Sequence, residues 1–217
     1  APGGVWGFAR VLRLEHPSLP TQGADVGGVD VTSSCTMWSH EAEAEASWRG
    51  PECLTSRLRA GFAVWTRDVV QLTSGDYAIT GGLGGLGLRA ASMLIDAGAT
   101  AITLSSRSGR FAQRFGTHEQ RMLHVVASDV DEATDALSLL KSGRIAGMLH
   151  AAGVLHDKML RAMSARDMGA SFAPKAIAVS HIHAALALAS VEALGLFSSV
   201  ASTFGNIGQA NYAAANA

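Results

Sequence analysis

A glycine-rich segment between an apolar strand and a helix constrains the fold of this chain most strongly. The segment ITGGLGGLG, residues 79–87, matches the pattern G-x-G-x-x-G through Gly82, Gly84 and Gly87. Glycines at such a point allow a sharp turn and a close approach to a pyrophosphate, which binds the free N–H groups at the start of the next helix. Because the motif lies between a predicted strand and a predicted helix that runs to about Ala97, it indicates a dinucleotide-binding unit rather than a flexible loop.

The rest of the sequence after this turn alternates between strand and helix patterns. Further strands are predicted at 101–107, 122–130, 144–153 and 194–202, and a long helix at 171–190. This alternation predicts an α/β fold with a doubly wound parallel sheet, a Rossmann fold. The preceding residues differ, with an early helical pattern, an irregular polar middle and a short strand pattern at 60–72. We therefore predict two domains, at 1–74 and 75–217.

Composition excludes several classes of function. The formal net charge of −1 and the pI near 6.8 give no basic surface, so we expect no nucleic-acid or membrane partner. No signal peptide or membrane span is visible. Cys35 and Cys53 are too few for a disulfide framework, which favours a reducing, cytoplasmic location. The histidine spacings match no metal-ligand motif, and we predict no metal site.

The end of the second predicted strand in the Rossmann part indicates which dinucleotide binds. An NAD site usually has an acidic residue there, whereas this chain has LSSRSGR with Ser105, Ser106, Arg107 and Ser108. Hydroxyls and a guanidinium suit a 2′-phosphate, which an acid would repel. The sequence therefore predicts NADPH, although Arg107 could also be a solvated loop residue.

The last residues of the sequence raise the question of how a proton is supplied. Tyr212 and Asn216 are four residues apart and share a helix face, at a spacing where tyrosine-dependent reductases usually have a lysine. Lys175 lies in the first turn of the predicted long helix and could supply the missing ammonium, which would favour the phenolate of a tyrosine. Ser198 or Ser199 could hold a carbonyl oxygen. Periodicity alone would equally leave Lys175 in solvent.

These segments resemble the ketoreductase domain of modular type I polyketide synthases, a relative of the short-chain dehydrogenases/reductases that is shared with animal-type fatty acid synthases. The resemblance covers nearly the whole chain, in the stretches VWGFARVLRLEHP, YAITGGLGGLGLRAASMLIDAGA, LSSRSG, SDV, MLHAAGVLHDKML, FAPKAIAVSHIHAAL and LFSSVASTFGNIGQANYAAANA. It implies that residues 1–74 are part of a degenerate Rossmann-like structural subdomain. In this family the lysine and the asparagine have exchanged places.

The resemblance implies a role for each matching residue. Tyr212 would be the proton donor, Ser199 the partner of the carbonyl oxygen, Lys175 the ammonium beside the tyrosine, and Asn216 the support of a water-linked proton relay. The implied cofactor contacts are Thr80, Gly81, Gly82, Leu83, Gly84, Gly85, Leu86, Ser106, Arg107, Asp129, Val130, Ala151, Ala152 and Gly153. Leu155 and Asp157 match two positions of the L-D-D motif of one stereochemical class, and Phe204 stands where the opposite class has tryptophan. The resemblance therefore favours the L-D-D class.

The implied activity is NADPH-dependent reduction of a β-ketoacyl thioester on acyl carrier protein, beside neighbouring synthase domains. Alternatives are a fatty acid synthase ketoreductase, a free-standing reductase of a sugar or steroid, and a non-catalytic Rossmann scaffold. The sequence ends at Ala217, before the later strands and the lid helix of the family. Because such a lid excludes water, we expect this piece alone to have little or no activity.

Overall fold

The computed structural model describes residues 3–27, 43–50, 52–60, 74–110, 121–141, 145–189 and 191–217. Strands within these residues are β1 (Gly23–Gly27), β2 (Glu45–Arg49), β3 (Glu52–Leu54), β4 (Asp76–Thr80), β5 (Ala101–Ser106), β6 (Leu123–Ala127), β7 (Ile145–His150) and β8 (Ala193–Leu196). The α-helices are α1 (Gly3–Glu15), α2 (Gly85–Asp96), α3 (Ala133–Lys141), α4 (Ala165–Phe172), α5 (Ala178–Leu186), α6 (Val200–Phe204) and α7 (Ala210–Ala215). A 3-10 turn spans Leu160–Ala162 and a π-helical turn spans Ala173–Ile177.

The chain divides into two compact units, each formed by stretches that are distant in the sequence. The first unit is formed by 1–68, 157–164 and 199–217, and the second by 69–156 and 165–198. The end of the chain thus groups with its beginning.

The second unit contains the predicted doubly wound sheet. Its five strands are parallel and lie in the order β6-β5-β4-β7-β8, so the first strand of the unit is central. The direction of winding reverses between β4 and β7, and a crevice opens at the carboxyl ends of strands at such a switch point. The prediction of a parallel Rossmann sheet is confirmed.

Helices cover both faces of this sheet because strand side chains alternate between the faces. Tyr77 and Ile79 of β4 lie in one core cluster with Ala91 and Leu94 of α2. Ala78, between them in sequence, lies in the other cluster, to which α3 and α5 contribute. Burial of apolar residues on both faces explains why β4 reads as a continuous apolar run.

Two predicted elements of the second unit have different limits. The strand predicted at 194–202 ends at Leu196, and a helix begins at Val200. The helix predicted at 171–190 belongs to a helical run that starts at Ala165 and is interrupted by the π-helical turn. Pro174 lies in that turn; proline lacks the N–H and crowds the preceding turn, so the regular hydrogen-bond pattern cannot continue through it.

The first unit joins a small sheet to a helical cluster. Strand β2, which lies in the stretch predicted to be irregular, pairs parallel to β1 and antiparallel to β3. Helix α1 packs against α7, and a Cβ on Gly7 would lie 2.3 Å from the Ala213 carbonyl oxygen, so only glycine fits at this crossing. Residues 61–72 of the strand predicted at 60–72 lie outside the described residues. No helix among the described residues combines the length and apolarity needed to cross a membrane.

Candidate functional site

The turn between β4 and α2 requires glycine for two reasons. Gly81 has a φ of +65°, and a Cβ there would lie 2.6 Å from Ala152 Cα. A Cβ on Gly87 would lie 2.6 Å from the Gly81 carbonyl oxygen. The turn therefore brings the start of α2 close to the end of β4. The N–H groups in the first turn of this twelve-residue helix have no partner within the helix and carry its positive dipole end.

A cavity of about 250 Å³ lies at the carboxyl ends of the second unit's strands. Each of the first four strands of the unit contributes the residues that directly follow it, as the switch-point topology requires. The lining residues are Gly81, Gly84, Ser105, Ser106, Arg107, Ser128, Asp129, Val130, Ala151, Ala152, Gly153, Val154 and Pro174.

The structure places nine of the predicted cofactor residues on this cavity and five elsewhere. Thr80 and Gly82 are buried beneath the turn, whereas Leu83, Gly85 and Leu86 lie outside the cavity on the helix side. Ser105, which the sequence analysis names among the hydroxyls that suit a 2′-phosphate, also lines the cavity. Ser128, Val154 and Pro174 line it without having been predicted as contacts. Ser128 belongs to the quoted stretch SDV, whereas no sequence signal marks Pro174.

Two charged side chains, Arg107 and Asp129, line the cavity and interact with each other. Hydrogen bonding with Asp131, burial, and the Asp131 charge together raise the pKa of Asp129 from its ordinary 3.8 to about 6. The Arg107 guanidinium acts in the opposite direction on this pKa. Asp135 accepts a hydrogen bond from the Asp129 backbone N–H at 2.8 Å. Arg107 itself is exposed, so its guanidinium is accessible to an anionic ligand.

Lys175 lies in the π-helical turn and is buried, with 6% of its surface exposed. Its Nζ donates a hydrogen bond to the Phe197 carbonyl oxygen at 2.8 Å, just beyond β8. Burial lowers the pKa of its ammonium. A Cβ on Gly153 would lie 2.8 Å from Lys175 Cε, so the glycine makes room for this side chain. The prediction that Lys175 occupies the first turn of a helix is wrong, because the helical run begins ten residues earlier.

Ser199, Tyr212 and Asn216 belong to the first unit, and Lys175 belongs to the second. Ser199 follows β8 rather than ending it, and its Oγ accepts the Ala201 N–H at 3.2 Å as the N-cap of α6. Tyr212 lies in α7 and packs beside the cluster that includes Val11. The Asn216 Nδ2 donates to the Tyr212 carbonyl oxygen at 2.8 Å at the end of α7.

The residues predicted to control stereochemistry also fall in both units. Leu155, in the second unit, is 61% exposed, and Phe204, in the first, is 55% exposed. Asp157, in the first unit, accepts a hydrogen bond from Gln209 Nε2 at 3.0 Å. Among the described residues, no group of three or more histidine, cysteine or acidic side chains is arranged to hold a metal ion.

Comparison with protein families gives one clear match. The model of the KR domain matches residues 75–217. This chain belongs to the ketoreductase (KR) family of polyketide synthases. KR domains are oxidoreductases of the short-chain dehydrogenase/reductase type.

Known proteins similar to this KR chain are large synthases. It is 33% identical to a phenolphthiocerol/phthiocerol polyketide synthase of Mycobacterium tuberculosis, over 100% of this chain and 13% of the synthase. It is 34% identical to polyketide synthase GfsA of Streptomyces halstedii, over 98% of this chain and 3% of the relative. The KR chain therefore spans a small part of these relatives.

Solved structures similar to the KR chain come from the same family. A structure described as that of A-type ketoreductases from a modular polyketide synthase has a TM-score of 0.87 and 30% identity, covering 100% of this chain and 50% of that one. A C2-type ketoreductase from a modular polyketide synthase has a TM-score of 0.80 and 25% identity, covering 99% of this chain and 49% of that one.

Proposed function

We propose that this KR chain is the core of an NADPH-dependent reductase that converts a β-ketoacyl thioester on acyl carrier protein to the β-hydroxyacyl thioester. The observation that carries the proposal is the cavity at the switch point of the parallel sheet, whose lining includes both Arg107 and Gly81 of the glycine turn. The similarity to multidomain polyketide synthases supports the carrier-protein substrate and the neighbouring domains.

The residues of the cavity fit a dinucleotide phosphate. Gly81 and Gly87 keep the backbone of the turn free of side chains, so a pyrophosphate could reach the N–H groups at the start of α2. Ser106 and Arg107 would bind the 2′-phosphate, with the guanidinium forming two charge-assisted hydrogen bonds. Asp129 and Val130 would contact the adenine, and Ala151, Ala152 and Gly153 the ribose and nicotinamide.

The chemistry needs a hydride for the ketone carbon and a proton for its oxygen. NADPH supplies the hydride when it is bound. We propose that Tyr212 donates the proton and that the Ser199 hydroxyl donates a hydrogen bond to the oxygen as negative charge develops on it. Lys175 would stabilise the phenolate that remains.

Asn216 would support reprotonation of that phenolate through water. Its Nδ2 is bonded to the carbonyl oxygen of Tyr212, which fixes the asparagine at the end of the tyrosine's own helix. Since a side-chain amide both donates and accepts hydrogen bonds, Asn216 suits a water-linked relay.

Substitutions in the natural protein that contains this chain test the catalytic roles. We expect Tyr212→Phe to reduce kcat for a 3-ketoacyl thioester by about 10²–10⁴-fold while NADPH still binds, because only the proton donor is lost. Lys175→Met should also reduce kcat, whereas Lys141→Met, an exposed lysine at the end of α3, should not. NADPH-dependent turnover in Tyr212→Phe at the parent rate would contradict the assignment.

For the product configuration we propose the L-D-D class, on the basis of Leu155 and Asp157. Reduction of a racemic 2-methyl-3-ketoacyl thioester, with the product separated on a chiral column, tests this choice. The opposite hydroxyl configuration would contradict it.

A further inference from the structure

Glu15, the last residue of α1, binds the backbone of two loops in the first unit. Its Oε2 accepts the Leu160 N–H at 2.7 Å, and its Oε1 accepts the Gly208 N–H at 2.9 Å. Leu160 begins the 3-10 turn that follows Asp157, and Gly208 lies in the loop before α7. One carboxylate therefore joins three segments that are distant in sequence.

The two loops are also bonded directly to each other. The Lys158 N–H donates to the Gly208 carbonyl oxygen at 2.6 Å, and Gln209 Nε2 donates to Asp157 Oδ2 at 3.0 Å. Gly208 has a φ of +81°, a conformation that L residues with side chains rarely adopt. Its N–H and its carbonyl are thus both held, the first by Glu15 and the second by Lys158.

The position of Glu15 at the end of α1 explains why its carboxylate needs these contacts. A helix C-terminus carries partial negative charge, so a carboxylate there is unfavourable unless it has other partners. The nearby Arg13 is paired with Glu45. Met159, which precedes the 3-10 turn, provides no side-chain cap for it. Glu15 supplies the acceptor that the Leu160 N–H would otherwise lack, and the two backbone N–H groups compensate the carboxylate.

The loop held by Glu15 leads directly into the helix of the proposed proton donor. Gln209 is the N-cap residue of α7, and its carbonyl oxygen accepts the Ala213 N–H at 2.7 Å. Tyr212 follows three residues after Gln209. A shift of the Gly208 peptide therefore moves the start of α7, and it also moves the Gln209 amide that holds Asp157.

We propose that Glu15 is a positioning residue for ketone reduction: its carboxylate fixes the loop before Tyr212 against the segment of Asp157, and so controls both the rate and the configuration of the product. This inference rests on the proposed function. It assigns a role in the reaction to the leading segment, outside the residues that the KR model matches.

The test is Glu15→Gln in the natural protein, assayed with NADPH and a racemic 2-methyl-3-ketoacyl thioester. Glutamine keeps the size of the side chain but has one acceptor oxygen, so one of the two N–H groups loses its partner. Because small misplacements of catalytic groups have large effects on rate, we expect kcat to fall about tenfold or more. The fraction of the minor diastereomer should rise, and Kd for NADPH should change by less than about twofold, since the nucleotide cavity lies in the other unit.

The matched control is Glu45→Gln, which removes the carboxylate that pairs with Arg10 and Arg13 of the same helix. Glu45 forms no described contact with either loop, so this variant should lower Tm while the product ratio stays at the parent value. If Glu15→Gln, like the control, lowers Tm but leaves kcat and the product ratio unchanged, Glu15 has only a structural role and the inference is wrong.

Glu15→Asp provides a second variant if Glu15→Gln does not fold. Aspartate keeps both oxygens but is one methylene shorter, so we expect a smaller fall in kcat with the same shift in product ratio. A folded Glu15→Asp with the parent's kcat and product ratio would also overturn the inference. A parent protein that reduces no ketone would refute the proposed function and the inference together. An active parent whose kcat and product ratio are the same in Glu15→Gln and Glu15→Asp would refute the inference alone.

Discussion

The Nδ1 atom of His150 lies 2.6 Å from the hydroxyl oxygen of Thr80, across the paired ends of β7 and β4. The imidazole is 1% exposed, and burial, together with the charge of Lys175, lowers its pKa from the ordinary 6.5 to about 4. The ring is therefore neutral at pH 7. The contact joins the last residues of β4 and β7, directly before the turn that begins at Gly81.

The first prediction concerns the stability of the fold as the pH falls. Between pH 6.5 and 4 the unfolded chain binds a proton at His150 and the folded chain does not. The free energy of unfolding therefore decreases as the pH decreases through this range. From pH 7.5 to 4.5 this costs about 2 to 3 kcal/mol. We expect His150→Asn, measured by urea unfolding, to lose that much less stability than the parent over this range.

Two comparisons isolate the effect of His150. His124→Asn, at an exposed position of β6, is the control for a histidine-to-asparagine change at the surface. Asp129 contributes to the pH dependence of the free energy of unfolding with the opposite sign. Its raised pKa makes the folded state lose stability as the pH rises from about 4 to 6. The difference between variant and parent is therefore the quantity to measure. Parallel pH curves for His150→Asn and the parent would show that folding does not lower the pKa of His150.

The second prediction concerns the choice of cofactor. Arg107→Ala should raise the Kd for NADPH about 10- to 100-fold by removing charge-assisted hydrogen bonds to the 2′-phosphate, and should leave the Kd for NADH nearly unchanged. Arg110, also exposed and three residues further on, does not line the cavity, so Arg110→Ala is the control. Equal binding of NADPH and NADH by the parent, measured by fluorescence titration, would exclude the role of Arg107.

The third prediction compares two glycines of the same turn. Gly81→Ala combines a positive φ with a Cβ placed 2.6 Å from Ala152, so it should destabilise the chain by roughly 1–3 kcal/mol or more. Gly85→Ala places its Cβ where no atom lies within 4 Å, at the first position of α2, and should be neutral or slightly stabilising. Thermal unfolding of both variants measures this, and equal Tm values would contradict the geometry of the turn.

The fourth prediction concerns the pH dependence of cofactor binding. As the pH falls from 7.5 to 5.5 the carboxyl group of Asp129 takes up a proton, which removes a negative charge from the wall of the cavity near Arg107. Binding of the polyanionic NADPH should therefore tighten, by roughly three- to tenfold. In Asp131→Asn the group that raises this pKa is gone, so the Kd should depend less on pH.

Titration of the cofactor's own phosphate affects the parent and Asp131→Asn equally, so the comparison between them isolates the carboxyl pair. Identical pH profiles of the Kd in the two proteins would contradict the pairing of Asp129 with Asp131.

The sequence predicts those structural features that depend on residues adjacent in the chain. The run from Tyr77 through the glycine turn into α2 was predicted because a continuous apolar run and the glycine spacing are properties of adjacent residues. The π-helical turn at Pro174 was missed, since proline indicates a break but not how a helix accommodates it. The bonds of Glu15 were also missed, because a side chain that binds distant backbone N–H groups leaves no periodic pattern. The roles of Lys175, Ser199, Tyr212 and Asn216 came from the resemblance and remain predictions.

The packing of α1 against α7 has a consequence for engineers who exchange reductases between assembly lines. A graft cut before residue 75 would transplant α6 and α7 without the helix that covers them, although it carries every residue that the KR model matches. Apolar side chains such as Phe8 and Val11 would stay with the donor, and the hybrid would expose the surface they had shielded. A transferable cassette therefore has to begin upstream of α1.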